Sequence, residues 1–319
     1  MQVSLFFKRK SHINQYIYGF MMLHKKGILQ INSIKESQHC NDNILRASIN
    51  GLKLVYDGSD GDQVDRGFLS FSDYEWCDIY YKRSYSVTLG ERYPKIKPVG
   101  FNYNIIPDYS KIDYVKKSAK KILGKEIIRH HDLESLPVAL SRPRILFLTG
   151  LWDPCEDLSI ADEIEKITKT RLAILDTLSK EFKEMSTFGV NETTFTKKIA
   201  KKYVLPRKKT NKMNFIKMLK NHDICITSAG MHYSSGWRLG EYIAASRSII
   251  SEDPYYETVG DFKKNENYRS FACGESLIDA INHLLDRKKR QQMMLKNYTY
   301  YHQYLRPDSL ILNSIVNAR

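Results

Sequence analysis

The sequence has little cysteine and no paired cysteine motif. Its five cysteines, Cys40, Cys77, Cys155, Cys225 and Cys273, are odd in number and widely spaced, with no C-x-x-C pair. That excludes a disulfide framework and a structural zinc site, fits a reducing compartment, and reads as small buried hydrophobes. No apolar run approaches the roughly 20 residues of a membrane helix. Residues 1–10 place their apolar stretch before their charges, the reverse of a secretory signal. The expectation is a soluble, cytoplasmic protein, at most peripheral at the inner membrane face. Acids are scarce beside bases: 36 Asp+Glu face 50 Lys+Arg, a formal charge of +14. This excludes an acidic disordered tail and points to phosphate-bearing or polyanionic partners, or to an anionic membrane surface. No repeat at a solenoid period is present.

What is there suffices for two domains: 319 residues, 42% of them apolar and 27% charged. In the first half, apolar runs predict strands at 3–7, 28–34, 44–49, 52–56, 78–81 and 96–101. Asn50-Gly51 reads as the turn joining two of them. Helical spacing predicts helices at 12–24 and 111–123, with a short one at 68–76. Residues 130–143, with two prolines, two histidines and no clear period, read as a linker. Alternation then restarts, with strands at 145–148, 223–227 and 248–250 and helices at 160–182, 211–220, 237–245, 277–285 and 307–316. Two successive alternating halves predict an α/β protein of two doubly wound domains facing across a cleft.

The most informative stretch is 223–252, DICITSAGMHYSSGWRLGEYIAASRSIISE. A buried strand ends at Ser228-Ala229-Gly230, a polar loop carries His232, and Gly236 opens a helix bearing Arg238 and Glu241. In open α/β sheets ligands sit beyond the carboxyl ends of the strands, where helix N–H groups favour phosphate. Arg238 in the first turn suits a diphosphate, and Glu241, three residues on, suits ribose hydroxyls. The competing reading is a plain i,i+3 surface pair.

The series strand, Ser/Gly loop, G-W-R-L-G-E-Y-I-A-A-S-R, strand resembles the nucleotide-sugar-binding segment of GT-B glycosyltransferases, nearest to exostosin-like and glycosyltransferase family 1-like members. The stretch FACGESLIDAINHLL at 271–285 is similar to the segment downstream of that site, and 300–307 to the return crossing of the chain. The resemblance implies a GT-B fold: an acceptor-binding Rossmann-like domain at 1–129, the linker at 130–143, a donor-binding domain at 144–305, and a crossover helix at 306–319 returning to the first domain. It implies a nucleotide-diphosphate sugar as donor substrate, no separate cofactor, and a role for Glu241 toward the donor ribose. Gly150, in the turn after the first strand of the second half, falls near the donor phosphates. Arg171 on the next helix falls toward the diphosphate, its other reading being one more exposed helical charge. The two-glutamate signature of retaining members is unmet, because no acid lies from Ser228 to Gly240; inversion is expected.

Thirty residues between Glu192 and Asp223 lack any acid and hold ten Lys/Arg. Arg207 and Lys208, with Lys209, are candidates to close over a diphosphate, to face solvent, or, with 116–121 and 287–290, to meet an anionic membrane. In the first half the loop 57–65 offers Asp57 and Asp60 as catalytic base, against the reading of a plain Gly/Asp turn. D-G-S-D-G-D lacks the order of a calcium loop. The segment Y-Y-K-R-S-Y at 80–85 suits an acceptor sugar or its phosphate, or an edge strand blunted by charge. No metal site is expected, since no D-x-D motif stands between the two domains. The function expected is sugar transfer to a glycan or lipid-linked acceptor in polysaccharide biosynthesis. The alternatives are a basic nucleic-acid binder, motivated by 21 tyrosines, and a GT-B-like epimerase or polyol-phosphate transferase.

Overall fold

A computed structural model describes residues 1–38, 40–272 and 274–318, so that Cys273 lies outside the described residues. The chain is α/β and divides into two compact units, each with one six-stranded sheet. The first unit comprises Met1–Asp132, Tyr255–Asp261 and the chain from Tyr300 on; the second comprises Leu133–Pro254 and Phe262–Thr299. The stretch 130–143 carries one helical turn, His130–Leu133, and is split between the units at Asp132 and Leu133.

In the first unit the strands are β1 (Gln2–Phe7), β2 (Gln30–Glu36), β3 (Ile44–Ile49), β4 (Leu52–Asp57), β5 (Ile79–Lys82) and β6 (Ile96–Pro98), in the order β2-β1-β3-β4-β5-β6. Strand β3 runs against both β1 and β4, while the remaining pairs are parallel. The hairpin β3–β4 closes through Asn50 and Gly51, whose φ angles of 48° and 92° are those an Asn-Gly turn supplies. Because β3 alone is reversed, the carboxyl ends of β1, β4 and β5 share one edge of the sheet. Strand β5 is interior to the sheet, not an edge; Tyr80 and Lys82 on it are fully buried, which corrects the edge-strand reading of residues 80–85.

The helix Asn14–Lys25 is buried along most of its length because the C-terminal helix Pro307–Asn317 returns to cover it. Ile17 and Phe20 pack with Leu310, Ile311 and Ile315. Polar contacts fix the seam: Gln15 Nε2 donates to Leu305 O at 2.9 Å, Tyr81 OH donates to Ser314 O at 2.6 Å, and Tyr56 OH lies 2.7 Å from Ser314 Oγ.

In the second unit all pairs are parallel, and the order is β12-β11-β10-β7-β8-β9. The strands are β7 (Ile145–Thr149), β8 (Ser186–Asn191), β9 (Val204–Leu205), β10 (Ile224–Thr227), β11 (Ser248–Ser251) and β12 (Tyr268–Ser270). Counted within the unit, this is the doubly wound order 3-2-1-4-5-6, which reverses between β7 and β10. Strands β10 and β11 are buried throughout, as their apolar runs require with helices on both faces.

Arg290, read from sequence as a surface charge, is fully buried on the helix Arg287–Tyr300, a helix the apolar pattern does not announce. Its Nε meets Asp223 Oδ2 at 2.6 Å, and its other nitrogens donate to Leu284 O, Leu285 O and Leu140 O at 2.7–2.9 Å. Asp223, also fully buried, accepts the Arg144 and Leu140 N–H groups at 2.9 and 3.0 Å. The pair thereby joins the entry to β7, the start of β10 and the end of the helix Gly274–Leu285. Removing one member of such a pair leaves an uncompensated buried charge. Arg290→Met should lower stability by about 3–5 kcal/mol, read as the midpoint of urea unfolding, and Asp223→Asn in the same chain should recover part of that loss.

Candidate functional site

The strand order of the second unit reverses where β7 and β10 lie side by side, and the loops beyond the carboxyl ends at such a switch point are where open α/β sheets bind their ligands. One residue ties these loops. Arg171 stands on the helix Ala161–Glu181, on the stripe formed by Ile164, Ile167, Ile174, Leu175 and Leu178, and is 6% exposed. Its Nη1 donates to Gly150 O at 2.7 Å, its Nε to Ser228 Oγ at 2.9 Å and its Nη2 to Ala229 O at 3.0 Å. Trp152 stacks on the guanidinium at 4.3 Å. Arg171 is therefore not an exposed helical charge: three of its N–H groups bond the two loops, with Gly150 O, Ser228 Oγ and Ala229 O as acceptors. Burial pulls its pKa down to about 10, with Glu252 working in the opposite sense and the Arg238 charge adding to the fall. It stays charged at neutral pH.

Beyond Ala229, whose N–H donates to Glu252 Oε2 at 2.8 Å, the chain turns tightly. Gly230 N–H donates to Ser234 O at 2.6 Å. His232 and Tyr233 hold φ angles of 57° and 59°, a left-handed conformation uncommon outside glycine that marks a loop held in one shape by its surroundings. Tyr233 N–H donates to Glu163 at 3.1 Å. The helix Gly236–Ala244 comes next. On it Glu241 is 1% exposed, and both its oxygens are engaged: Arg238 Nη1 donates to Oε2 at 2.9 Å, and Lys212 Nζ donates to Oε1. Arg238 lies over the buried Phe215 ring at 3.6 Å and keeps 31% of its side chain exposed. Burial pushes the Glu241 carboxyl upward, but Lys212 and Arg238 outweigh it and hold the group below its ordinary value of 4.5. The simple surface pair is thus corrected to a three-residue cluster in which a buried Glu241 is held between two partly exposed cations, Arg238 and Lys212. Arg207 and Lys208 are exposed on a single helical turn, Arg207–Thr210, which Asn214 pins through a 2.6 Å bond to Lys208 O.

The first unit gathers a second set of groups at the shared edge of its sheet. Asp57, at the end of β4, is 1% exposed and accepts from Lys82 Nζ at 2.8 Å and Tyr80 OH at 2.9 Å. Its Oδ1 accepts the Ser59 N–H at 2.8 Å. Asp57 braces the loop, and its burial removes it as a catalytic base. Asp60 is pinned by Arg83 Nη1 and stands 3.6 Å from His12 Nε2. Burial opposes its charge, yet His12 and Arg83 prevail and hold its pKa at about 2. A carboxylate so acidic is a poor proton acceptor near neutral pH. The residue missed from sequence is His12, in the single turn Ser11–Ile13 after β1. No spacing signals it; the parallel direction of β1 and β4 brings it to Asp60. Gly58 allows the approach, because a Cβ there would lie 2.7 Å from His12 O.

Asp60-Gly61-Asp62 is itself a D-x-D tripeptide, so the motif is not missing from the chain. Its carboxylates part company: Asp62 accepts from Ser86 Oγ at 2.6 Å and Tyr256 OH at 3.2 Å, away from Arg83 and His12. Among the described residues no group of three or more His, Cys, Asp or Glu is placed to hold a metal ion.

No protein-family model and no curated protein matches the chain. Among solved structures it is similar to HepE from Anabaena, crystallised with UDP and glucose, at 9% identity over 98% of both chains and a TM-score of 0.48. It is similar to accessory secretory protein 1, 2 and 3 of Streptococcus pneumoniae at 13% identity and a TM-score of 0.48, over 83% of this chain and 48% of that one. A TarM variant of S. aureus, crystallised with Fondaparinux, α-GlcNAc-glycerol and UDP, is similar at 11% identity and a TM-score of 0.43, over 81% of this chain and 48% of its own. The chain spans about half the length of the latter two.

The Glu241 cluster carries a pH signature. A depressed folded pKa contributes stability above the ordinary glutamate value, and that contribution is lost as the pH falls through the folded one. Glu241→Gln should be less stable than wild type at neutral pH by about 1–3 kcal/mol, and the gap should close toward acid. Unfolding midpoints measured along a pH series check this; a gap independent of pH would show that the ion pairs are not its source.

Proposed function

We propose that the chain is a glycosyltransferase that moves a sugar from a nucleotide-diphosphate donor to a glycan or lipid-linked acceptor, with inversion and without a metal ion. The observation that carries this reading is the Arg171-tied pair of loops at the β7/β10 reversal, leading straight into the helix of the G-W-R-L-G-E motif. A doubly wound sheet binds its ligand at that place, and the N–H groups opening the helix at Gly236 favour phosphate. Arg238, partly exposed and braced by Glu241 and Phe215, pairs with the diphosphate. Glu241 acts through Arg238 and Lys212 as a positioning residue. Arg171 shapes the loops and adds positive field, and the exposed Arg207 and Lys208 steer the anionic donor.

Within the first unit, the group we assign as proton acceptor is His12, with Asp60, held charged by Arg83, placed to orient its ring and stabilise the imidazolium. The new bond joins the acceptor oxygen to the anomeric carbon on the face opposite the diphosphate, which leaves with the electron pair of the broken bond. Its developing charge is met by Arg238 and the helix N–H groups, the task a divalent ion performs elsewhere. Against the nucleic-acid alternative, stacking needs exposed rings, whereas Tyr16, Tyr56, Tyr80, Tyr103, Tyr242 and Tyr301 are fully buried.

Calorimetry with UDP, GDP and CDP, followed by a donor panel scored for transfer, hydrolysis and epimerisation, tests the reading; binding of none of the three would overturn it. Arg238→Ala should weaken the bound nucleotide roughly ten- to a hundredfold, and turnover should survive EDTA. His12→Ala should cut turnover by about a hundredfold or more with donor affinity unchanged. Asp60→Asn should lower turnover less and shift the pH–rate profile, since it removes the partner of the imidazolium rather than the base.

A further inference from the structure

The helix Lys111–Ile122 is mounted inside out. Asp113, Lys117, Ser118 and Lys121 face the protein, and its apolar residues face solvent. On the inner side Lys117 Nζ pairs with Asp113 at 2.6 Å and lies over the Tyr109 ring, and Lys121 pairs with Asp132 at 2.5 Å. Arg129 donates to Ser118 Oγ at 3.0 Å and stacks on Tyr114 at 4.3 Å. No residue of this helix is buried. On the outer side Ile112, Val115 and Ile122, with Leu123 just after the helix, are 69%, 65%, 87% and 82% exposed, and Ala119 is exposed between them. At 100° per residue these five positions fall on one stripe.

An ordinary surface helix turns that stripe to the core. Here the core side is satisfied by ion pairs and hydrogen bonds, so the stripe awaits something apolar from outside. The charges beside it name the occupant. Lys116 and Lys120 flank the stripe on one side and Lys111 on the other, with Lys125 just past the helix end, all of them exposed. Asp113, the one acid within the helix, is turned inward to Lys117. A second copy of this chain would bring the same lysines against each other. A bilayer with anionic headgroups accepts both features: the apolar ridge enters the acyl boundary while the lysine stems lie along it and their ammonium groups reach the phosphates.

We infer that Lys111–Ile122 is an interfacial membrane-docking helix that seats the first unit on an anionic lipid surface through Ile112, Val115, Ile122 and Leu123. This docking goes beyond the transfer reaction and is measured without it. The test is co-sedimentation of the full chain with phosphatidylcholine vesicles, with and without phosphatidylglycerol. Wild type should sediment with the anionic vesicles, release in high salt, and ignore phosphatidylcholine alone. Ile122→Ser with Leu123→Ser should weaken partitioning at least tenfold. Lys116→Gln with Lys120→Gln should weaken it by about thirtyfold, roughly fivefold per lysine. All four positions are exposed, so unfolding midpoints should match wild type and confirm that the variants are folded. Sedimentation that is absent, equal in the variants, or indifferent to phosphatidylglycerol would overturn the inference. So would a wild-type dimer that the Ile122→Ser, Leu123→Ser chain cannot form, because a second copy would then cover the stripe.

Discussion

A guanidinium buried where the strand order reverses is the constraint on which the second unit's site depends. Arg171 meets no carboxylate directly; it is held by two carbonyl oxygens, a hydroxyl and an indole ring. Only arginine can do this from one helical position, because its planar fork presents several donors in fixed directions, whereas an ammonium offers a single point of charge. Burial costs the cation enough to draw its pKa to about 10. What it secures is two loops of fixed shape, with a positive field at their mouth. The left-handed residues of the β10 loop, His232 and Tyr233, need such a frame, since nothing in their own backbone preference would keep them there.

The first unit solves a related problem with ion pairs. Asp57 and Lys82 end adjacent parallel strands, and their pairing, with Tyr80, fixes how the acidic loop departs from the sheet. Asp60 can then stand between Arg83 and His12. Of the two aspartates that sequence offers as equal candidates, one is walled in and the other is made too acidic to accept a proton. Burial and neighbouring charge, not residue type, separate them. His12, a histidine with no motif around it, stands 3.6 Å from Asp60 and is the base of the proposed reaction.

The legible parts of the fold were those written as local pattern. Strands β7, β10 and β11 are uniform apolar runs, the Asn50-Gly51 hairpin is a two-residue signal, and the helix over 161–181 has a regular stripe. The strands β8 and β12 and the helix Arg287–Tyr300 carry too few apolar residues in register to stand out. Buried charges were the least legible feature, although a trace of them exists. Arg171 occupies the apolar stripe of its helix, and Arg290 sits in register with Met293, Met294 and Asn297, the buried side of its own. A charge on an otherwise apolar stripe is a residue that must find partners inside. The pairing of His12 with Asp60 has no such trace, because it arises from strand direction between segments far apart in the chain.

The first unit is assembled from three stretches of chain, and the last of them contains the helix that covers Asn14–Lys25. The second unit needs nothing beyond Thr299. During synthesis, therefore, the half that is made first is finished last. The second unit has its whole sheet and core available while Ile17 and Phe20 still lack Leu310, Ile311 and Ile315. Until the C-terminal residues leave the ribosome, the first unit holds an uncovered apolar helix that a chaperone must shield or that tempts aggregation. A premature stop near Tyr300 would spare the later unit and cripple the earlier one.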